Sequence, residues 1–207
     1  MPPEHIEEIN PGPPTKPRRA AAVILLRRGG KHDARGLQVL LGKRTSRARF
    51  MADVWVFPGG AVDGERVDEG ALRSTAVREL AEEVGVELAG VDALVPFSRW
   101  ITPVEVKVRY DTSFYLASAP PHCSPKPDGE EIVDVGWFAP SDALERHEQG
   151  DLLLVFPTIK QLEALSRFGS ADEALAEAGE HEPPPILPRI DVADGEPRVL
   201  LPGDPGY

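Results

Sequence analysis

Hydrophobic positions fall into runs of two periods. Ala20 to Arg27 (AAAVILLR) and Leu37 to Arg44 (LQVLLGKR) are short and nearly continuous apolar stretches, which predicts two buried strands. Gly29 and Gly30, with Lys31 to Gly36, connect them as a loose hairpin that leaves His32 exposed. Between about 70 and 84 the period changes to that of a helix, with Ala76, Val77, Leu80 and Val84 on one apolar stripe. Asp68 or Ser74 starts that helix, Gly70 weakens its first turn and Gly85 ends it.

Further on, Ala93 to Thr102 and Arg109 to Ser118 read as strands joined by Pro103 to Val108. A proline-containing loop from Ala119 to Gly129 leads into a strand from Glu130 to Phe138. Helices open at Pro140 and Pro157, the second with Ile159, Leu162, Leu165 and Phe168 on one face, and a third runs from Ala171 to Ala178. These three are expected to serve as packing elements and as a possible homodimer surface. Glu182 to Pro188 is too rich in proline for regular structure, and Arg198 to Asp204 forms a final strand. Residues 1–19, rich in proline and charge, read as a mobile arm. Residues 20–207 then form a single domain, with no internal repeat.

Composition narrows the class. The chain has 207 residues, 41% hydrophobic and 28% charged, which fits an ordinary globular α/β or α+β domain. The formal net charge of −11 argues against nucleic acid and anionic membranes as partners. It also makes a phosphorylated substrate a poor guest unless metal ions and local arginines reverse the field. Cys123 is the only cysteine, so an intramolecular disulfide is excluded and a reducing cytoplasm is expected. The apolar run at Ala20 to Leu26 is too short to span a membrane. Pro205-Gly206-Tyr207 is not a peroxisomal tripeptide.

The chemistry concentrates at Phe57 to Val86. Glu79, Glu82 and Glu83 stand at i, i+3 and i+4, so they share one side of the helix. Such crowding repels unless a cation lies between the carboxylates, and their hard oxygens suit Mg²⁺ or Mn²⁺. Arg78 is the nearest positive charge in sequence. Gly59 and Gly60 let the backbone turn tightly and approach a ligand. Lys43, Arg44, Arg47 and Arg49 gather positive charge just upstream, and guanidinium forks match phosphate oxygens. Arg99 offers charge and Trp100 a stacking face to a nucleotide.

The segment Arg78-Glu79-Leu80-Ala81-Glu82-Glu83-Val84-Gly85-Val86 resembles the second half of the Nudix hydrolase box at every specified position. The first half departs from the pattern, because an insertion leaves its glutamate unassigned between Glu65 and Glu69. Leu40, Leu41, Arg44, Arg49 and Phe57 to Gly60 are in register with a motif of coenzyme A diphosphatases, with Gly42, Thr45 and Asp53 departing from it. Trp100 to Pro103, the run from Arg109 to Phe114 and the leucine-rich Pro-Gly-Asp ending resemble a subgroup related to the peroxisomal coenzyme A hydrolase of animals.

The resemblance implies a Nudix α/β/α sandwich, an α/β fold with a mixed β-sheet between helices. It implies a divalent-metal-dependent hydrolase of a pyrophosphate bond in a small-molecule nucleotide substrate, with coenzyme A or acyl-coenzyme A as the leading substrate. Glu79, Glu82 and Glu83 would hold the metal, and Glu82 and Arg78 would also act in catalysis. Glu131, with Glu130 in reserve, or one of the helix glutamates would be the general base. Arg44, Arg49, Gly59, Gly60 and Arg99 would contact substrate. ADP-ribose, dinucleotides and capped nucleotides are the alternative substrates, and a non-catalytic nucleotide-binding module is the alternative class. No basic recognition helix supports a transcriptional regulator.

Overall fold

The strand β1 (Arg18–Arg28) is buried from Ala20 to Leu26 because it lies between two layers of helix. Its side chains alternate. Ala21, Val23 and Leu25 belong to one apolar cluster, and Ala22, Ile24 and Leu26 to the other. The computed structural model describes residues 9–29, 36–48, 51–64, 67–191 and 197–207. His32, Arg49, Glu65 and most of the first connection lie outside the described residues.

After β1 come β2 (Leu37–Arg44), β3 (Trp55–Val56), β4 (Gly59–Ala61), α1 (Glu69–Val84), β5 (Val95–Ile101), β6 (Tyr110–Ser118) and β7 (Ile132–Phe138). The helices α2 (Pro140–Glu148), α3 (Phe156–Leu165) and α4 (Ala171–Ala178) follow, then β8 (Pro185–Ile186), β9 (Arg189–Asp191) and β10 (Arg198–Leu200). Among the described residues, one sheet runs β3-β2-β1-β6-β5-β8, with β4 also paired to β1 and β7 to β2. The β1–β6 and β5–β8 pairs are parallel and the others antiparallel, so the sheet is mixed. Leu72, Ala76, Leu80 and Val84 of α1 cover one face, and residues of α2, α3 and α4 cover the other. This is the expected α/β/α sandwich.

α1 has local start and stop signals. The side chain of Asp68 accepts from the Ala71 N–H at 2.9 Å, which caps the first turn, and Ser74 lies inside the helix. Gly85, at φ 66°, closes the last turn with its N–H on the Ala81 carbonyl. Leu72, Ala76, Leu80 and Val84 hold the site-bearing helix on the sheet, and the same helix also buries Thr75 and Glu83.

Four expectations need correction. Residues 9–19 are not a free arm: Ile9 bridges Val106, Asn10 N–H bonds the Glu105 carbonyl, and Arg109 donates to the Thr15 carbonyl. The extended proline-rich chain satisfies its polar groups on the 105–109 segment. The strand expected from Glu130 begins at Ile132, because the Asp128 carboxylate takes the N–H groups of Glu130, Glu131 and Ile132 and turns the chain. Within 182–188, Pro185–Ile186 forms a short parallel edge strand on β5, a place where a proline costs no ladder hydrogen bond. The last strand is shorter than 198–204, and it pairs with β9 as a separate ribbon.

Arg99 and Arg19 both grip Asp111, which is 5% exposed. Arg99 does so with two hydrogen bonds of 2.7 Å. Burial raises the Asp111 pKa, but the two guanidinium groups outweigh it and hold the carboxyl below its ordinary range. Asp111→Asn is expected to cost about 2–3 kcal/mol, less than a fully buried pair because the arginines are partly exposed. The ionic part of that difference is present above the unfolded pKa of about 3.9 and fades as pH falls through the lower folded value. Urea melts of both proteins between pH 3 and 7 check this: the gap should be constant above pH about 5 and narrow below about 4.

Candidate active site

β1 and β6 form the floor of a cavity of about 620 Å³. On the floor, Arg18, Ala20 and Ala22 pair with Tyr110, Thr112 and Phe114, and the small alanines leave room above the sheet. β4 closes one side of the floor, with Gly59 and Gly60 opposite Ala22 and Ala21. A Cβ on Gly59 would strike the backbone of Ala21 and Ala22, and a Cβ on Gly60 would strike the carboxylate of Glu79. Both positions therefore require glycine for close approach.

The α1 glutamates reach this end of the cavity in graded exposure. Glu83 is 4% exposed and accepts the Gly59 N–H at 2.9 Å. Burial pushes its carboxyl up to about 8. The Gly59 hydrogen bond and the charge of Arg44 oppose the rise, whereas Glu79 and Glu131 add to it. The Glu79 carboxyl is also raised, by burial first and then, against the pull of Arg78, by Glu82 and Glu131. Glu82 is the most exposed of the three. Arg78 bonds Glu79 at 2.7 Å and Glu82 at 2.5 Å, and it lies 3.5 Å from Asp63.

Glu131 comes to the same end from a different part of the chain. Its carbonyl accepts the Thr45 N–H, and Asp128 ties the turn that carries it to α1 by donating its N–H to the Glu83 carbonyl. Glu131 lines the cavity with Glu79, and its charge is felt by both Glu79 and Glu83. Arg44 also lines the cavity. A bulge between Lys43 and Arg44 shifts the register so that Arg44 pairs with Ile132, and the Arg44 Nε is buried without a hydrogen-bond partner.

The structure thus brings together Arg44, Gly59, Gly60, Arg78, Glu79 and Glu131 at the cavity, with Glu83 bonded behind Gly59 and Glu82 held by Arg78. Arg99 is not among the lining residues; it is spent on Asp111, whereas its neighbour Trp100 lines the cavity. Arg99 and Trp100 are adjacent on β5 and point to opposite faces of the sheet. Glu69 begins α1, about 15 Å along the helix from Glu79 at 1.5 Å per residue, and bonds Arg73 and the Tyr115 hydroxyl. It is therefore remote from the helix glutamates. Sequence reasoning missed Asp63, Asp128 and Arg18. Asp63 follows the Phe-Pro-Gly-Gly turn closely and carried a usable signal, but the other two depend on long-range pairing.

The donor set is all carboxylate oxygen, and burial with mutual repulsion raises the Glu79 and Glu83 carboxyls. This fits a hard divalent cation. Among the described residues no three acidic, histidine or cysteine side chains are already grouped to ligate one, because Arg78 holds Glu79 and Glu82 and Gly59 holds Glu83. Among the described residues, too, no helix is long and apolar enough to cross a membrane.

Comparison with known proteins agrees with this geometry. The model of the NUDIX domain family matches residues 16–155. The chain is similar to the putative nudix hydrolase 7 of Caenorhabditis elegans, at 28% identity over 227 residues, covering 92% of this chain and 74% of that protein. It is 35% identical over 102 residues to the acyl-coenzyme A diphosphatase NUDT19 of Gallus gallus, covering 46% of this chain but only 26% of that protein. The crystal structure of a NUDIX hydrolase from Alicyclobacillus acidocaldarius superposes with a TM-score of 0.71 at 28% identity, over 78% of this chain and 96% of that one.

Proposed function

Because the chain belongs to the Nudix family and is a Nudix-type pyrophosphohydrolase, we propose that it cleaves coenzyme A or an acyl-coenzyme A at the pyrophosphate. The products are 3′,5′-ADP and a 4′-phosphopantetheine species. The observation that carries this reading is the meeting of Glu131 with Glu79 and Glu83 at one end of a cavity that also holds Arg44.

Glu79, Glu82 and Glu83 would hold the divalent cation, which would supply positive charge against the diphosphate and the leaving phosphate oxygen. Glu131 accepts the proton of the attacking water as its oxygen bonds to one phosphorus and the bond from that phosphorus to the bridging oxygen breaks. Arg78 fixes the orientation of Glu79 and Glu82, its two hydrogen-bonded neighbours. Gly59 holds Glu83 through its N–H. Arg44, which lines the cavity, offers its guanidinium to an outer phosphate oxygen. Arg49 belongs to the same upstream motif and is assigned a phosphate contact on that ground. A possible homodimer and a cytoplasmic location remain part of this reading, the first on the packing helices and the second on the single cysteine.

Chromatographic product analysis tests the substrate. Coenzyme A, acyl-coenzyme A, ADP-ribose, NADH and dinucleoside polyphosphates are each incubated with the protein and Mg²⁺. Release of 3′,5′-ADP from the coenzyme A species at the highest kcat/KM is expected. Faster cleavage of ADP-ribose or a dinucleotide would transfer the assignment to that substrate. No cleavage of any of them, with tight nucleotide binding, would make the chain a binding module. Arg44→Ala is expected to raise KM for the preferred substrate about 10- to 100-fold, the worth of a charged hydrogen bond, and to reduce its preference over ADP-ribose. Steady-state kinetics on both substrates check this.

A further inference from the structure

The cavity lining is of two chemical kinds. The residues described above are charged. Trp100, Val106, Phe156, Ile190 and Val199 supply apolar walls. Trp100, Val106 and Ile190 are themselves more than nine-tenths buried. Trp100 meets Phe156 edge to face at 6.0 Å, so neither ring presents a free sandwich for a flat base.

These walls come largely from outside the family core. The domain match ends at residue 155, and Phe156, Pro157, Thr158, Pro188, Ile190 and Val199 all follow it. They arrive by two routes. α3 begins at Phe156 with Pro157 in its first turn, which brings that end of the helix over the floor. β8 adds to the edge of β5 beside Trp100, and the chain then turns into the β9–β10 ribbon, where Ile190 pairs with Val199. The Ile190 N–H reaches the Glu105 carboxylate, which fixes the ribbon on the segment that carries Val106.

From this we infer that the β9–β10 ribbon, through Ile190 and Val199, forms a subsite for an aliphatic group joined to the diphosphate, and that the ribbon sets the enzyme's preference for that group. The inference deepens the coenzyme A reading and rests on it for the identity of the diphosphate. The apolar side chains of the ribbon favour an aliphatic occupant. Valine, isoleucine and proline side chains offer no hydrogen bond to a base edge or a sugar, but they gain from every methylene they withdraw from water. Glu79, Glu131 and Val199 line one cavity, so the diphosphate site and these apolar walls are open to a single extended molecule. Arg18, exposed at the far end of the floor, marks where the walls open to solvent.

The test is the dependence of KM on chain length. Free, acetyl-, butyryl- and octanoyl-coenzyme A are compared for the natural protein, Val199→Ser and Ile190→Ser. In the natural protein KM should fall with length, by up to about fourfold per methylene buried. The readout is the ratio of KM for the free and octanoyl compounds, which a general loss of fold or activity does not move. It is expected to exceed tenfold in the natural protein and to drop towards one in Val199→Ser. A ratio near one in the natural protein, or a ratio unchanged in both variants, would overturn the inference. Equilibrium binding of octyl phosphate against ethyl phosphate separates it from the substrate assignment. Length-dependent affinity that Val199→Ser removes supports the subsite even if coenzyme A is not cleaved, and equal affinities for the two probes sink the subsite even if coenzyme A is cleaved.

Discussion

Glu83→Gln is expected to lower kcat by about 10³-fold or more while the fold survives intact. The two effects separate because Glu83 does two jobs. Structurally it accepts the Gly59 N–H, and a glutamine oxygen does this equally well. Its carboxyl is pushed up to about 8 by burial, so near pH 7 the cation-free fold already tolerates a neutral group there. Chemically, the substitution removes a negative ligand from a site whose function is to hold positive charge against a diphosphate. Thermal melts and single-turnover rates on the same preparation check both halves. Near-normal turnover in Glu83→Gln would overturn the assignment of the site, and a collapsed fold would show that the glutamate is structural.

Gly60→Ala is expected to reduce kcat about 100-fold with a stability loss below about 1 kcal/mol, and Gly59→Ala to destabilise by about 2–3 kcal/mol. The two glycines are adjacent, but a Cβ meets different neighbours at each. At Gly60 it meets the carboxylate of Glu79, the far end of a flexible side chain that can swing aside. The cost falls on catalysis, because Glu79 leaves its place beside Arg78. At Gly59 it meets the carbonyl of Ala21 and the Cα of Ala22, backbone in the middle of the sheet that cannot yield. Melting temperatures and kcat for both variants check the contrast. If Gly60→Ala kept full activity, the position of Glu79 would not matter to the reaction.

α1 was legible in the sequence because its signals are local. Its capping aspartate, its terminal glycine and its apolar stripe all lie within about one turn of the residues they organise. The buried strands β1 and β2 were legible as unbroken apolar runs. β3 and β4 were not, since two- and three-residue strands exist only through the partners they find. The same distinction governs the site. Spacing alone put Glu79, Glu82 and Glu83 on one side of a helix, but their very different burial depends on β4 passing over Glu83. Arg99 and Trp100 were both offered to a ligand, and only the register of β5 on β6 shows that Asp111 claims the arginine. The pairing of β8 with the sheet had no sequence signal, because a proline-rich stretch pairs with a sheet edge only once that edge exists.

The most direct test is manganese binding followed by electron paramagnetic resonance, with free Mn²⁺ titrated into the purified protein and into Glu79→Gln and Glu83→Gln. Saturable uptake by the natural protein, weakened at least tenfold in each variant, is the expected result. Absence of uptake by the natural protein, or equal uptake by all three, would contradict a cation held by these glutamates.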